Sequence, residues 1–300
     1  MLDGRDETEL REIIDRQQRA LQVADLRRRF VVLLDVPSGL PADRITDWRA
    51  EFDSSFAAAY HPWLGVPRGD DRKQRPGAPP LPAGLGVRGT AVLVPPSVFA
   101  AGIIADRERR LGLANGPANQ LALGAIRAAD PVGNELADQL HLLSINVFGA
   151  ERDGFRLSAA RTLSSDPDYR QLSVRRLMTM LALTLQRYGE DLLVFEPNTP
   201  ELRARLANAV TELLRSLQRR GAFSGATEEE SFFVRCDDST NPQQSQALGR
   251  LIAEIGVAPA EPLEYLVLRI ASDGEGGLLV EEQAPISPGT INNLSEASGV

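Results

Sequence analysis

A change of hydrophobic period within one stretch, Leu140–Asn198, does most to limit what this chain can fold into. Around Phe155, Leu157 and Ala159, alternate positions are apolar, with Arg156 and Ser158 between them. A strand with one buried face has that period of two. From Asp168, a candidate cap, the period becomes helical: Val174, Leu177, Met178, Leu181, Leu185 and Tyr188 share one side of a helix over Tyr169–Tyr188. Leu192–Phe195 then reads as a strand. A second helix follows over Pro200–Arg220, capped by Asn198 or Thr199, with Leu202, Leu206, Val210, Leu213 and Leu217 as its apolar stripe and Gly221 as its terminator. Sheets and helices that are apolar on one side must cover each other. The expected class is α/β (α+β), a mixed β-sheet core flanked by amphipathic helices.

The rest of the chain fits that class. Residues 1–29 form a polar helical lead-in, with acids early, arginines late and a thin stripe of Leu10, Ile13, Ile14, Leu21 and Val23. Phe30–Val36 is a continuous apolar run of the kind a buried strand shows. Asp43 can cap a helix over Arg44–Ala59. Pro67–Gly89 is rich in proline, glycine and charge and reads as a surface loop, followed by a strand-like run to Val94. Helices are expected over Pro95–Arg109 and Asn134–Ser144, and strands over Ser231–Asp237, Leu251–Val257 and Glu264–Ala271. The core therefore spans 30–272, and 273–300 reads as a flexible C-terminal tail or linking arm.

Composition narrows the function classes. The net charge is -8 and the pI about 5.0, which disfavours a general nucleic-acid binder. Of 33 basic residues only Lys73 is a lysine. Arginine pairs carboxylates bidentately and suits protein–protein contacts. Cys236 is the only cysteine, so no intramolecular disulfide can form. No apolar run approaches the ~18–20 residues that span a bilayer, and Met1–Leu10 lacks the basic-then-apolar pattern of a secretion signal. Neither a phosphate loop nor a nucleophile elbow occurs. Gly84–Gly89 matches the dinucleotide fingerprint in form but follows a proline-rich loop and precedes a strand, the reverse of the required context. Asp237–Pro242 lacks the ligand spacing of a calcium loop, and His61 and His141 are too few for a histidine metal site. No catalytic, cofactor-binding or metal-binding residue is predicted.

Several short strings, in order along the chain, resemble the contractile phage tail sheath protein family of phage tails and tail-like injection systems. They are Leu34–Pro37 with Trp48, Arg49 and Phe52; then Tyr60, Pro62 and Trp63; then Pro95, Pro96 and Ser97 with Pro117, Ala118 and Asn119. Ala160–Thr162 keeps the Ala-Arg-Thr of a family Trp-Gly-Ala-Arg-Thr string but not its tryptophan. Arg175, Arg176 and Leu177 match another string, and Val194–Asn198 (Phe195, Glu196, Pro197, Asn198) matches one of the two most specific, the other being the Val94–Asn119 segment. The resemblance covers about Phe30–Ile270 and implies the fold of the sheath C-terminal core. It also implies a non-enzymatic structural subunit that stacks in hexameric rings around an inner tube and contracts to drive the tube through a target envelope. The implied partners are further copies of itself, the inner tube protein, and baseplate and cap proteins, with no nucleic acid and no direct membrane insertion. The implied location is the cytoplasm of the producing bacterium, in a phage tail or tail-like particle. The alternatives are a baseplate or cap component with a sheath-like fold, or an unrelated α/β enzyme. Candidate contact residues are Arg161, Arg175, Arg176, Arg205, Arg215 and Arg219, together with Leu278, Leu279 and Val280, an apolar triplet that could add a strand to a neighbouring sheet.

Overall fold

The structure, a computed structural model, describes residues 4–67, 91–193, 196–260, 265–273 and 277–286. The loop expected at Pro67–Gly89 falls almost entirely outside the described residues, as does the fingerprint-like string within it. The chain divides into two compact units, one of Met1–Leu111 with Gly116–Ser173 and one of Gly112–Asn115 with Val174–Val300.

The first unit contains α1 (Glu7–Arg27), β1 (Val32–Asp35), α2 (Ala42–Ala50), β2 (Ala57–His61), β3 (Leu64–Val66), β4 (Val92–Val94), α3 (Pro96–Leu111), β5 (Arg127–Ala128), α4 (Asn134–Leu142), β6 (Ile145–Glu151) and β7 (Gly154–Leu157). Strands β1, β2 and β6 are parallel neighbours, and β7 closes the sheet antiparallel to β6. A small antiparallel sheet, β4-β3-β5, stands beside them in the chain order. Asp6 caps α1 by accepting from the backbone N–H groups of Thr8 and Glu9 at 2.9 Å each. One layer of core holds Leu10, Leu21, Leu34, Ile45, Trp48 and Phe52; a second, on the other face, holds Tyr60, Leu64, Ile103, Phe148 and Leu157.

One expectation fails here, and one strand was not foreseen, for a shared reason. The helix read over Arg44–Ala59 stops at Ala50, and Ala57–His61 is a fully buried central strand. Ile145–Glu151, for which no strand was expected, is the next strand in the same sheet. Ala57, Ala58 and Ala59 have high helix propensity, but a strand buried on both faces needs only small residues that let the covering layers approach. Tertiary pairing overrides local preference. The strand read over Phe155–Ala160 is shorter, ending at Leu157.

The second unit contains α5 (Leu172–Leu192, whose first two residues fall in the first unit), α6 (Pro200–Gln218), α7 (Glu228–Ser231), β8 (Phe232–Arg235), α8 (Gln243–Ala247), β9 (Leu251–Val257), β10 (Tyr265–Ser272) and β11 (Leu278–Ile286). Its sheet is antiparallel throughout, in the order β11-β10-β9-β8. Thr199 caps α6 through the Leu202 N–H at 3.2 Å, and Gly221 ends it at φ 73°. Helix α5 runs through Leu192, so the strand expected at Leu192–Phe195 does not begin there; Val194 and Phe195 lie outside the described residues. The chain after Asp273, expected to be a flexible tail, supplies β11, which pairs with β10 from Ser272↔Leu278 to Tyr265↔Ile286.

Candidate subunit interface

The exposed side of α6 carries the expected arginines, and they differ from one another. Arg205 and Arg219 are exposed and make no ion pair among the described residues. Arg215 is engaged within its own unit: its Nε donates to Glu228 at 2.5 Å, a second nitrogen donates at 3.0 Å, and Glu212 is a further partner. The Arg215 hydrogen bonds hold the Glu228 carboxyl below the usual carboxylate range. Sequence reasoning missed Arg203. It is 5% exposed, beside Leu202, Leu206, Val210 and Leu214, and donates to Asp238 at 2.9 Å. The apolar stripe follows steps of four through Leu214, where Leu213 and Leu217 had been expected, and that rotation brings Arg203 inward.

The triplet Leu278–Val280 begins β11, at the edge of the unit's own sheet. Leu278 lies against Gly189 of α5 so closely that a Cβ there would sit 2.3 Å from Leu278. Leu279 points outward and is 53% exposed. Arg175, expected on the outer face of its helix, is instead 1% exposed and holds Glu282 of β11 in a bidentate pair, one arm of it at 2.8 Å. β11 covers the face of α5 that periodicity alone assigns to solvent. Glu282 is itself only 10% exposed, so this pair is desolvated, unlike those of Arg215. Arg176 is half-buried.

Arg161 follows β7. Its backbone N–H donates to Asn146 at 2.7 Å, and its side chain donates to the carbonyl of His141 at 3.0 Å. Fully buried Asn146 also donates to the carbonyls of Ala59 and Arg161 at 3.0 and 2.8 Å, tying the Ala-Arg-Thr turn to the central strands.

The string residues are chiefly packing and turn positions. Tyr60 and Pro62 are buried, and Trp63 donates from its indole to the carbonyl of Val36 at 2.9 Å. Pro95 and buried Pro96 open α3, where Ser97 gives its N–H and its hydroxyl to Asp35 at 2.7 Å each. Burial pushes the Asp35 carboxyl above its usual range despite these bonds. Pro117 is buried; exposed Asn119 adopts φ 60° and its N–H reaches the carbonyl of Leu157 at 2.7 Å. Phe195 lies outside the described residues, and Glu196 and Pro197 are exposed. Asn198 donates to Asn241 at 3.2 Å. Asn241, wholly buried, bridges the Asp237 turn to β9: it donates to the carbonyls of Asp237 and Ile252 and accepts from the Ile252 N–H at 2.8 Å.

Among the described residues, no group of three His, Cys, Asp or Glu could hold a metal ion, and no helix is long and apolar enough to cross a membrane. Burial lowers the His61 pKa to about 4 and pushes the Cys236 thiol up to about 11, so at neutral pH the imidazole is uncharged and the thiol protonated. A protonated thiol is a poor nucleophile.

A sequence model of the phage tail sheath C-terminal domain matches residues 164–272. Comparison with curated proteins finds no match. Among solved structures, an anti-feeding prophage (AFP) baseplate in contracted state matches at 26% identity and a TM-score of 0.68, over 82% of this chain and 65% of that one. The PVC sheath complex of an extracellular contractile injection system, in contracted state, matches at 25% identity and 0.65, over 77% and 60%. A sheath tail protein from Desulfitobacterium hafniense, at 13% identity and a TM-score of 0.55 over 81% and 48%, shares the fold. The chain thus spans less than two thirds of the length of the solved proteins it matches. It carries a segment matching the phage tail sheath C-terminal domain within a mixed α/β fold shared with the sheath proteins of contractile injection systems.

Proposed function

We propose that this chain is a structural, non-catalytic subunit of a contractile sheath that stacks in hexameric rings around an inner tube and contracts to drive the tube forward. The observation that carries this reading is the match of residues 164–272 to the sheath C-terminal domain. The second unit also has the right geometry for linkage. Its sheet runs from β11 to β8, and both are edge strands that present backbone donors and acceptors along one side. A strand from a neighbouring subunit can add to such an edge, giving a strong and sequence-tolerant link. Leu278, Leu279 and Val280 lie on one of these edges, and Arg205 and Arg219 present exposed charge on α6 for a neighbour or a tube. Contraction then exchanges one packed arrangement of subunits for another of lower free energy, with no nucleotide consumed.

Electron microscopy of the purified protein, with and without its inner tube protein, tests the proposal. Striated tubes or six-fold rings are expected; a folded monomer under both conditions overturns it. The second reading, a baseplate component, is favoured by the likeness to proteins of an AFP baseplate, and it predicts discrete rings that never lengthen into tubes.

A further inference from the structure

The first unit has a pocket of about 460 Å³ lined by Thr46, Arg49, Leu142, Arg161, Ser164 and Arg170, among others. Three arginines share it, in a chain whose net charge is -8, and none makes an ion pair among the described residues. Arg49 is spent on backbone: it donates to the carbonyls of Leu143 at 2.7 Å, Leu163 at 2.8 Å and Phe52. Arg161 donates to the carbonyl of His141 at 3.0 Å. Arg170 is exposed, with its guanidinium uncommitted. Asp53 is the carboxylate whose charge bears on Arg49, without forming an ion pair with it, and it also accepts the N–H and hydroxyl of Ser165 at 2.9 and 2.7 Å. Carbonyl oxygens fix the guanidinium positions without neutralising them. The pocket is therefore a preorganised cluster of positive charge.

Elsewhere several buried and half-buried arginines pair with carboxylates: Arg175 with Glu282, Arg203 with Asp238, Arg215 with Glu228. Here three arginines meet in one pocket with no such pair among the described residues. Burial, and for Arg161 also the neighbouring charge of Arg170, lowers the pKa of Arg49 and Arg161, the direction that an arriving anion would reverse. Exposed Leu142 adds an apolar rim.

We propose that this pocket is a docking site for an acidic peptide segment of another protein chain, whose carboxylates pair with Arg161 and Arg170 while an apolar side chain covers Leu142. Charge complementarity sets the class of partner: planar guanidiniums with free donors match carboxylates bidentately, and the apolar rim fits a peptide better than a small ion. The site goes beyond the sheath reading, since it is a property of the first unit and is measured on the isolated chain. Its failure would leave the assembly proposal standing.

The test is fluorescence anisotropy of a labelled peptide of six glutamates ending in leucine, titrated with the full chain at low salt. Saturable binding is expected, weakening steeply as salt is added. Arg170→Glu and Thr46→Glu, both at exposed positions, should each weaken binding by about tenfold or more, while Arg219→Glu on α6 should leave it unchanged. Inorganic phosphate at the same concentration should not compete. Absence of binding, equal loss in Arg219→Glu, or displacement by phosphate alone would each overturn the proposal, the last by making the pocket a simple anion site.

Discussion

Replacing Glu282 by glutamine keeps its shape and removes its charge, which leaves the Arg175 guanidinium at 1% exposure without its carboxylate. Breaking a buried pair from one side costs about 3–5 kcal/mol, because the remaining charge stays desolvated. An exposed pair is worth about 1 kcal/mol or less. Arg175 also donates to Thr179 at 3.4 Å, a long contact that offsets little of the loss. With a urea dependence of about 2 kcal/mol per molar, a loss of 3 kcal/mol lowers the unfolding midpoint by roughly 1.5 M. The chain supplies its own reporter. Cys236, its only cysteine, lies in the second unit, whereas both tryptophans, Trp48 and Trp63, lie in the first. Thiol labelling of Cys236 against urea therefore reads the unit that contains the pair. Glu212→Gln, which breaks only an exposed pair of Arg215, is the control and should shift the midpoint by less than about 0.5 M. Hydrogen exchange should locate the loss in β11 and β10. Equal midpoints for Glu282→Gln and Glu212→Gln would refute the burial argument. So would a Glu282→Gln protein as stable as the parent with β11 still protected.

Three further outcomes follow from the same geometry. Gly189→Ala should expel Leu278 from its seat on α5, where the new Cβ would lie 2.3 Å away, and should raise exchange at 278–286 first. Asn241→Ala should cost about 1–3 kcal/mol in urea unfolding, because it strands the N–H of Ile252 in a buried site, while the carbonyls of Asp237 and Ile252 keep the Thr240 hydroxyl as a donor. His61 should make the first unit acid-sensitive. Its folded pKa of about 4 lies below its ordinary 6.5, so the unfolded chain binds more protons between those values and stability rises with pH across that window. The contribution is fully present above pH 6.5 and falls by about 3 kcal/mol as pH drops to about 4. Tryptophan fluorescence in urea at both pH values should show a steeper loss for the parent than for His61→Gln; equal slopes would remove the reasoning.

The division of labour between sequence and tertiary structure is clearest at particular elements. Periodicity and capping residues alone located α1, α3, α4 and α6, because an amphipathic helix announces its apolar face and its ends within a few turns of chain. The apolar runs Leu251–Val257 and Glu264–Ala271 likewise located β9 and β10. The ordered strings sufficed to indicate the sheath-like fold that the match at residues 164–272 bears out. Three things were not legible locally. Ala57–His61 and Ile145–Glu151 become strands only when each has parallel neighbours to pair with, and those partners are remote in sequence. Arg175 becomes a core residue only because β11 returns over α5 from more than a hundred positions away. The arginine pocket arises because α2, α4 and the turn after β7 converge, none of which carries an unusual charge run of its own. Helices and hairpins are encoded by near neighbours. Burial of a charge and the meeting of several charges at one place depend on distant contacts, which only the folded chain decides.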